Sequence, residues 1–247
     1  MKELDRLLSL IRQACGRYRM IGSGDRIAVG LSGGKDSLAL LYALNTLRGF
    51  YPEPFSLCAV TVDPGFPKDS PAARGPFEPL SELCASLGVE HRIVKTDIYA
   101  VVFEERREKN PCSLCANMRR GALTDAALSF GANKLALGHH LDDAAETFFM
   151  NLTANGRIGC FSPVTAYEDR GLSVIRPLIY AREREVAACV RAAALPVIQS
   201  PCPANGATGR AETRELLRAL DAKNRGLYRR ILGAMERAGV DGWHGKE

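Results

Sequence analysis

Six residues, Ser32-Gly33-Gly34-Lys35-Asp36-Ser37, constrain this chain more than any other stretch. They join an apolar run over 26–31 to a helix-like run over 38–44, so a buried strand hands over to a helix here. Adjacent glycines let backbone N–H groups converge on an anion, the helix N-terminus adds partial positive charge, and Lys35 adds a full one. Phosphate is the ligand such a turn suits. A Walker A loop is excluded, because Val29 stands where its first glycine belongs and Asp36 follows the lysine. A dinucleotide fingerprint starting at Gly22 also fails, since Ile27 takes its last glycine position and the run precedes the strand.

The rest of the chain reads as one α/β domain. With 247 residues, 46% of them hydrophobic, there is material for one large core. Apolar runs at 55–62, 91–94, 134–138 and 174–178 are predicted strands. Helices are predicted over 3–20, 80–87, 104–109, 112–130, about 143–151, 182–194, 212–220 and 225–237. The expectation is a single domain over 1–247, a parallel sheet with helices on both faces. A covering helix would occupy about 1–21 and a basic helical region about 211–238. Proline and glycine crowd 64–79, which reads as a flap. A net charge of +5 is too mild to indicate a partner. The N-terminus lacks the apolar segment of a signal peptide, and no apolar run approaches the roughly 20 residues of a membrane span, so a cytoplasmic protein is expected. In a reducing compartment the eight cysteines either pack as apolar groups or act as ligands and nucleophiles.

Three further stretches carry chemistry. Asp63 ends the second strand, on the rim where open parallel sheets bind nucleotides; it either borders an adenosine or is a solvated turn residue. Cys112 and Cys115 sit at i, i+3 near a helix start, where a thiolate is favoured and two sulfurs share a face. A metal pair, a redox pair and buried cysteines are all open on that spacing alone. The strand at 134–138 delivers Gly138, His139, His140, Asp142 and Asp143 to the same rim. Asp143 with Glu146 fits a capping box, Asp142 and Asp143 suit a Mg²⁺ ion bridging ATP phosphates, and a neutral histidine can contact the nucleotide. Cys202, held between Pro201 and Pro203, is presented on a stiff backbone and could complete a site with Cys112 and Cys115. His91 reads as a surface residue, and Cys15, Cys58, Cys84, Cys160 and Cys189 as packing groups. Arg225, Arg229 and Arg230 form a basic helix face, solvated or turned toward RNA.

Ser32-Gly33-Gly34-Lys35-Asp36-Ser37 resembles the PP-loop of ATP pyrophosphatases, which cleave ATP between its α and β phosphates. Joined by Pro64-Gly65-Phe66-Pro67, Cys112-Ser113-Leu114-Cys115 with Arg119-Arg120-Gly121, Leu137-Gly138-His139-His140 with Asp142-Asp143, Ile175-Arg176-Pro177-Leu178 and Pro201-Cys202, it resembles the tRNA 2-thiocytidine synthetases of that superfamily. The ordered set spans about 20–235 and is far more specific than any one part. The resemblance implies ATP-dependent thiolation of a tRNA cytidine through an adenylated base. It implies a [4Fe-4S] cluster on Cys112, Cys115 and Cys202, with Lys35 and Asp36 in catalysis and Ser32, Gly33, Gly34 and Ser37 around the phosphates. It further implies tRNA as partner and a sulfur donor, sulfide or a persulfide from a cysteine desulfurase, and leaves monomer or homodimer open. The family commonly has another cysteine three residues after the one matched by Cys202; here Asn205 stands there. A lysidine-type ligase, a thiouridine synthetase and a non-enzymatic iron–sulfur or zinc RNA-binding protein are the competing readings. The first has no use for three cysteines, the second often carries extra cysteine pairs, and the third needs no ATP loop.

Overall fold

In a computed structural model, described for residues 2–67, 77–107, 111–198 and 209–244, six strands form one sheet of order β3-β2-β1-β4-β6-β5. The strands are β1 (Asp25–Gly30), β2 (Phe55–Asp63), β3 (Glu90–Lys95), β4 (Lys134–Ala136), β5 (Val164–Tyr167) and β6 (Leu172–Ile175). The helices are α1 (Lys2–Tyr18), α2 (Lys35–Leu47), α3 (Glu78–Ser86), α4 (Pro111–Ser129), α5 (Leu141–Ala154), α6 (Glu183–Ala192), α7 (Gly209–Lys223) and α8 (Leu227–Ala238). All pairings are parallel except β5 with β6. The expected α/β class, with helices on both faces, is what forms.

Burial on both faces explains the continuous apolar runs. Ile27, Ala28 and Val29 of β1 are fully buried, with Val29 in register with Ala59 on one side and Ala136 on the other. One face is covered by α1, α2, α3 and α6. Leu4, Leu7, Leu8, Ile11, Ala14 and Cys15 recur along α1 at three- and four-residue spacing and all are buried. Burying each leucine or isoleucine contributes about 1.5–3 kcal/mol. On the opposite face, Ala126, Ala127 and Phe130 from α4 and its end lie against Ala28, Cys58, Val60, Leu135 and Val174. Parallel strands β1, β2 and β4 therefore point their carboxyl ends at one rim, where α2, α5 and α6 begin.

Some elements differ from the sequence expectation. The helix predicted over 104–109 is a π-helical stretch at Ala100–Glu105, because buried Val102 packs with Val62 and Ile98 and anchors the segment upstream of its charged run. Residues 108–110 lie outside the described residues, as do 68–76 of the proline-rich stretch. The strand predicted over 174–178 starts earlier and stops at Ile175, where Pro177 has no N–H to extend a ladder. Strand β5 went unforeseen: four residues without clean alternation give almost no signal. Arg225 is not in α8, since Gly226 in the left-handed region breaks the two C-terminal helices apart. His91 is half-buried and partnered, its ring nitrogens 2.9 Å from Thr61 Oγ1 and 3.1 Å from Ser81 Oγ, and burial lowers its pKa. Among the described residues no helix is long and apolar enough to cross a membrane.

Candidate nucleotide and thiol site

Ser32 and Ser37 tie the first loop into a cradle. Ser37 Oγ accepts from the Ser32 N–H at 3.1 Å and donates to the Gly34 carbonyl at 2.9 Å, while Ser32 Oγ accepts from the Gly34 N–H at 3.3 Å. Gly33 has a φ of 80°, a conformation that a side chain would strain. Its carbonyl also accepts from the Ile198 N–H at 2.8 Å. Lys35 Nζ lies 2.9 and 3.0 Å from the Asp36 oxygens and 3.2 Å from Glu183 Oε1. Burial opposes the lysine charge, but the two carboxylates outweigh it and raise the pKa. For Glu183 burial favours the neutral acid, and Lys35 reverses that, leaving its pKa lowered.

The end of β4 meets this loop at close range. A Cβ on Gly138 would lie 3.0–3.1 Å from backbone atoms of Asp36 and Ser37, so glycine is what lets β4 approach the first turn of α2. His140 caps α5: its Nδ1 accepts from the Asp143 N–H at 3.3 Å, and Asp143 Oδ2 accepts from the His140 N–H at 3.0 Å. The capping box expected between Asp143 and Glu146 is thus built by His140 and Asp143. Glu146, 1% exposed, instead accepts from Arg214 Nε at 2.7 Å and Nη2 at 3.3 Å. Asp142 takes Arg182 Nε at 3.1 and 3.2 Å and the Glu183 N–H at 2.7 Å. The two acids expected to share an ion therefore face different ways: Asp142 is spent on α6, and Asp143 borders a cavity.

That cavity, of about 300 Å³, is walled by Ser32, Asp36, Ser37, Gly138, His139 and Asp143, with Arg119 and Leu123 of α4 opposite. Val60 and Val62 of β2 form an apolar side. Asp63 does not line it; its Oδ1 accepts from the Gly65 N–H at 3.0 Å, which is the turn role. His139 packs on Phe161 with ring centroids 5.0 Å apart, and burial, then Arg176, pushes its pKa down to about 4, so the ring is neutral near pH 7.

Cys112 and Cys115 occupy the first turn of α4. Cys112 is exposed, while Cys115 is half-buried beside Val62, Val102, Phe103 and Met118. Cys115, Arg119 and Leu123 follow at i, i+4, i+8, so the ridge that carries the thiol runs down to the cavity wall. Cys202 lies outside the described residues. Among the described residues no three His, Cys, Asp or Glu side chains gather to hold a metal.

Sequence reasoning missed a ring of residues behind Lys35. Glu183 and Arg182 come from the start of α6, and Arg214 and Arg218 from α7, with Arg218 Nη2 on Glu183 Oε2 at 2.9 Å. Arg210, Arg214 and Arg218 recur every four residues, a stripe along the edge of α7 whose partners are Thr147, Glu146 and Glu183 of α5 and α6.

Comparison with known proteins adds to this geometry. A model of the PP-loop domain family matches residues 7–219. A tRNA-cytidine(32) 2-sulfurtransferase of Cupriavidus metallidurans is 40% identical over 237 residues, covering 93% of this chain and 72% of that protein. One from Geobacter sulfurreducens is 37% identical over 232 residues, covering 91% and 88%. The solved structure of the U34-tRNA thiolase NcsA from Methanococcus maripaludis with its [4Fe-4S] cluster superposes with a TM-score of 0.79 at 27% identity, over 96% of this chain and 78% of that one. An NH3-dependent NAD synthetase from Campylobacter jejuni, at TM-score 0.51 and 14% identity, shares the fold.

Proposed function

The chain belongs to the PP-loop family of tRNA-cytidine(32) 2-sulfurtransferases, and on that premise we propose that it spends ATP to replace the carbonyl oxygen of a tRNA cytidine with sulfur. The observation that carries this reading is a shared cavity: the phosphate-type loop forms one wall, and the α4 ridge bearing Cys115 descends to the other.

A pyrimidine carbonyl oxygen is a poor leaving group. In the proposed sequence it attacks the α phosphate of ATP, pyrophosphate leaves, and the base carries AMP on its oxygen. A sulfur nucleophile then forms the C–S bond as the C–O bond breaks and AMP departs. With sulfide as donor the exchange is redox neutral; a persulfide from a cysteine desulfurase needs two electrons in addition. The backbone at Gly33 and Gly34 and the hydroxyls of Ser32 and Ser37 would cradle phosphate, and Lys35 would stabilise the departing pyrophosphate. Asp36 holds Lys35 in place. Gly138 and neutral His139 would border the nucleotide. Asp143 on the cavity wall, joined by Asp36 once the phosphates draw Lys35 from it, would hold a Mg²⁺ ion that accompanies ATP.

The donor set fits an iron–sulfur cluster: two thiols one turn apart at a helix start, one exposed and one against apolar side chains. Cys112, Cys115 and Cys202 would hold it. Such a cluster, when bound by three thiolates, supplies an iron with an open position at which sulfur can be held. The single-domain organisation and a cytoplasmic setting belong to the same proposal. The test is a thiolation assay with tRNA, ATP and sulfide on anaerobically purified protein, with nucleosides resolved by mass spectrometry. We expect 2-thiocytidine, lost in Lys35→Ala and in Cys112→Ala. Thiouridine as the product would refute the cytidine assignment, and full activity in Cys112→Ala would remove the thiols from the reaction.

A further inference from the structure

Next to the nucleotide cavity lies a second one of about 310 Å³, lined by Arg120 of α4, Arg157 and Phe161 of the α5–β5 connection, Tyr167 of β5, and Arg176 just past β6. Leu137 lines both cavities, and the His139–Phe161 ring pair joins their walls. No residue of the Ser32–Ser37 loop reaches the second cavity.

Among the described residues its lining sets three arginines against one carboxylate, Asp241. Arg176 is 9% exposed, donates from Nη1 to the Ser162 carbonyl at 2.5 Å and to Thr165 Oγ1 at 3.2 Å, and stands 5.1 Å over the Phe161 ring. Among the described residues its Nε has no hydrogen-bond partner. Burial, joined by the charge of Arg120, pushes its pKa down to about 10. Arg120 and Arg157 are exposed, and among the described residues none of the three arginines is in an ion pair. The Asp241 carboxylate accepts from the Cys160 N–H at 2.8 Å. A buried guanidinium with a spare donor and no carboxylate paired to it is costly until an anion joins it. Three forked cations around one hollow match phosphate oxygens.

We propose, building on the tRNA-thiolation reading, that this pocket grips a backbone phosphate of the RNA strand beside the nucleotide being modified. ATP cannot be its ligand while its phosphates rest on the Ser32–Ser37 loop. An RNA strand with one base at the first cavity passes the shared wall, and its next phosphate reaches the arginines.

The experiment is a fluorescence-anisotropy titration of labelled tRNA against wild type, Arg120→Gln, Arg157→Gln and the double variant at several salt concentrations, with ATP affinity measured in parallel. Each single change is expected to weaken binding about three- to tenfold and to lower the log–log salt slope by about 0.7–0.9, with ATP affinity unchanged. Arg120→Lys should keep the slope. Unchanged tRNA affinity and slope in the double variant overturn the proposal, as does a parallel loss of ATP affinity. Inorganic phosphate at matched ionic strength separates the sources: competition beyond the ionic-strength effect marks a free-phosphate site and also overturns it. Protein that binds tRNA through these arginines but never thiolates it sinks the function and keeps the pocket. Thiolation undiminished with all three arginines replaced does the reverse.

Discussion

Replacing Gly138 by alanine would place a methyl group in space already filled by main chain. The added Cβ would lie 3.0 Å from the Asp36 carbonyl carbon, 3.1 Å from its oxygen and 3.1 Å from the Ser37 nitrogen. Comfortable contact needs about 3.5 Å. No side chain can swing aside, because all three atoms belong to the first turn of α2, which the Ser32 and Ser37 hydrogen bonds also hold. Relief must come from parting β4 and α2 by about 0.4 Å. Overpacking of this kind costs about 1–3 kcal/mol, and each kcal/mol lowers Tm by about 2–4 °C at this size. Since a 1 Å misplacement can cost about 100-fold in rate, the same shift should slow turnover roughly fivefold.

Gly121→Ala is the matched control. It sits inside α4 with nothing within 4 Å of an added Cβ, so the change should stabilise by about 0.5–1 kcal/mol and leave ATP binding alone. Thermal denaturation and calorimetric ATP titration of both variants decide the matter. A Gly138→Ala protein with wild-type Tm and ATP affinity would refute the close-approach argument.

Two further outcomes are expected. The pKa of His139 is lowered from 6.5 to about 4, so the unfolded chain takes up a proton first, and stability present above pH 6.5 is lost as pH falls toward 4. Burial of His91 acts with the same sign, so His139→Gln should flatten the pH slope of urea-denaturation midpoints without abolishing it; an identical slope in that variant contradicts the assignment. Trp243 is fully buried, donates from Nε1 to the Phe161 carbonyl at 2.8 Å and meets Tyr18 edge-on at 6.1 Å. Trp243→Ala should therefore cost about 3–5 kcal/mol in chemical denaturation, and a loss below about 1 kcal/mol would show that the C-terminal segment is not part of the cooperative fold.

What the sequence revealed and what it hid divide along physical lines. The strand–loop–helix around Ser32–Ser37 was legible because burial demands continuous apolar strands and the turn demands glycine, and both demands are local. The split between Asp142 and Asp143 was not, because adjacent acids at a helix start look alike until α6 arrives to engage one of them. His140 as a cap escaped notice since imidazole is a rare choice there, while Asp143 with Glu146 fit the usual pattern. Glu183 was invisible for a similar reason: it lies in Arg182-Glu183-Arg184-Glu185, which reads as a solvated face. Only tertiary packing turns it onto Lys35. His91 lost its surface reading to Thr61 and Ser81, partners contributed by β2 and α3.

Charge is handled in opposite ways at the two cavities. Behind the loop, Lys35 is held by Asp36 and Glu183, Arg218 by Glu183, Arg182 by Asp142, and Arg214 by Glu146. An incoming triphosphate must therefore take Lys35 from two carboxylates, exchanging one ion pair for another. In the second cavity, Arg120, Arg157 and Arg176 are in no ion pair among the described residues, so an anion there adds attraction without displacing any. Exchange leaves little net counterion release, whereas addition of a polyanion releases one counterion for almost every phosphate neutralised. ATP binding at the loop should thus respond less to salt than the proposed RNA binding at the second cavity, a contrast that follows from where the carboxylates lie, since net charge alone is only +5.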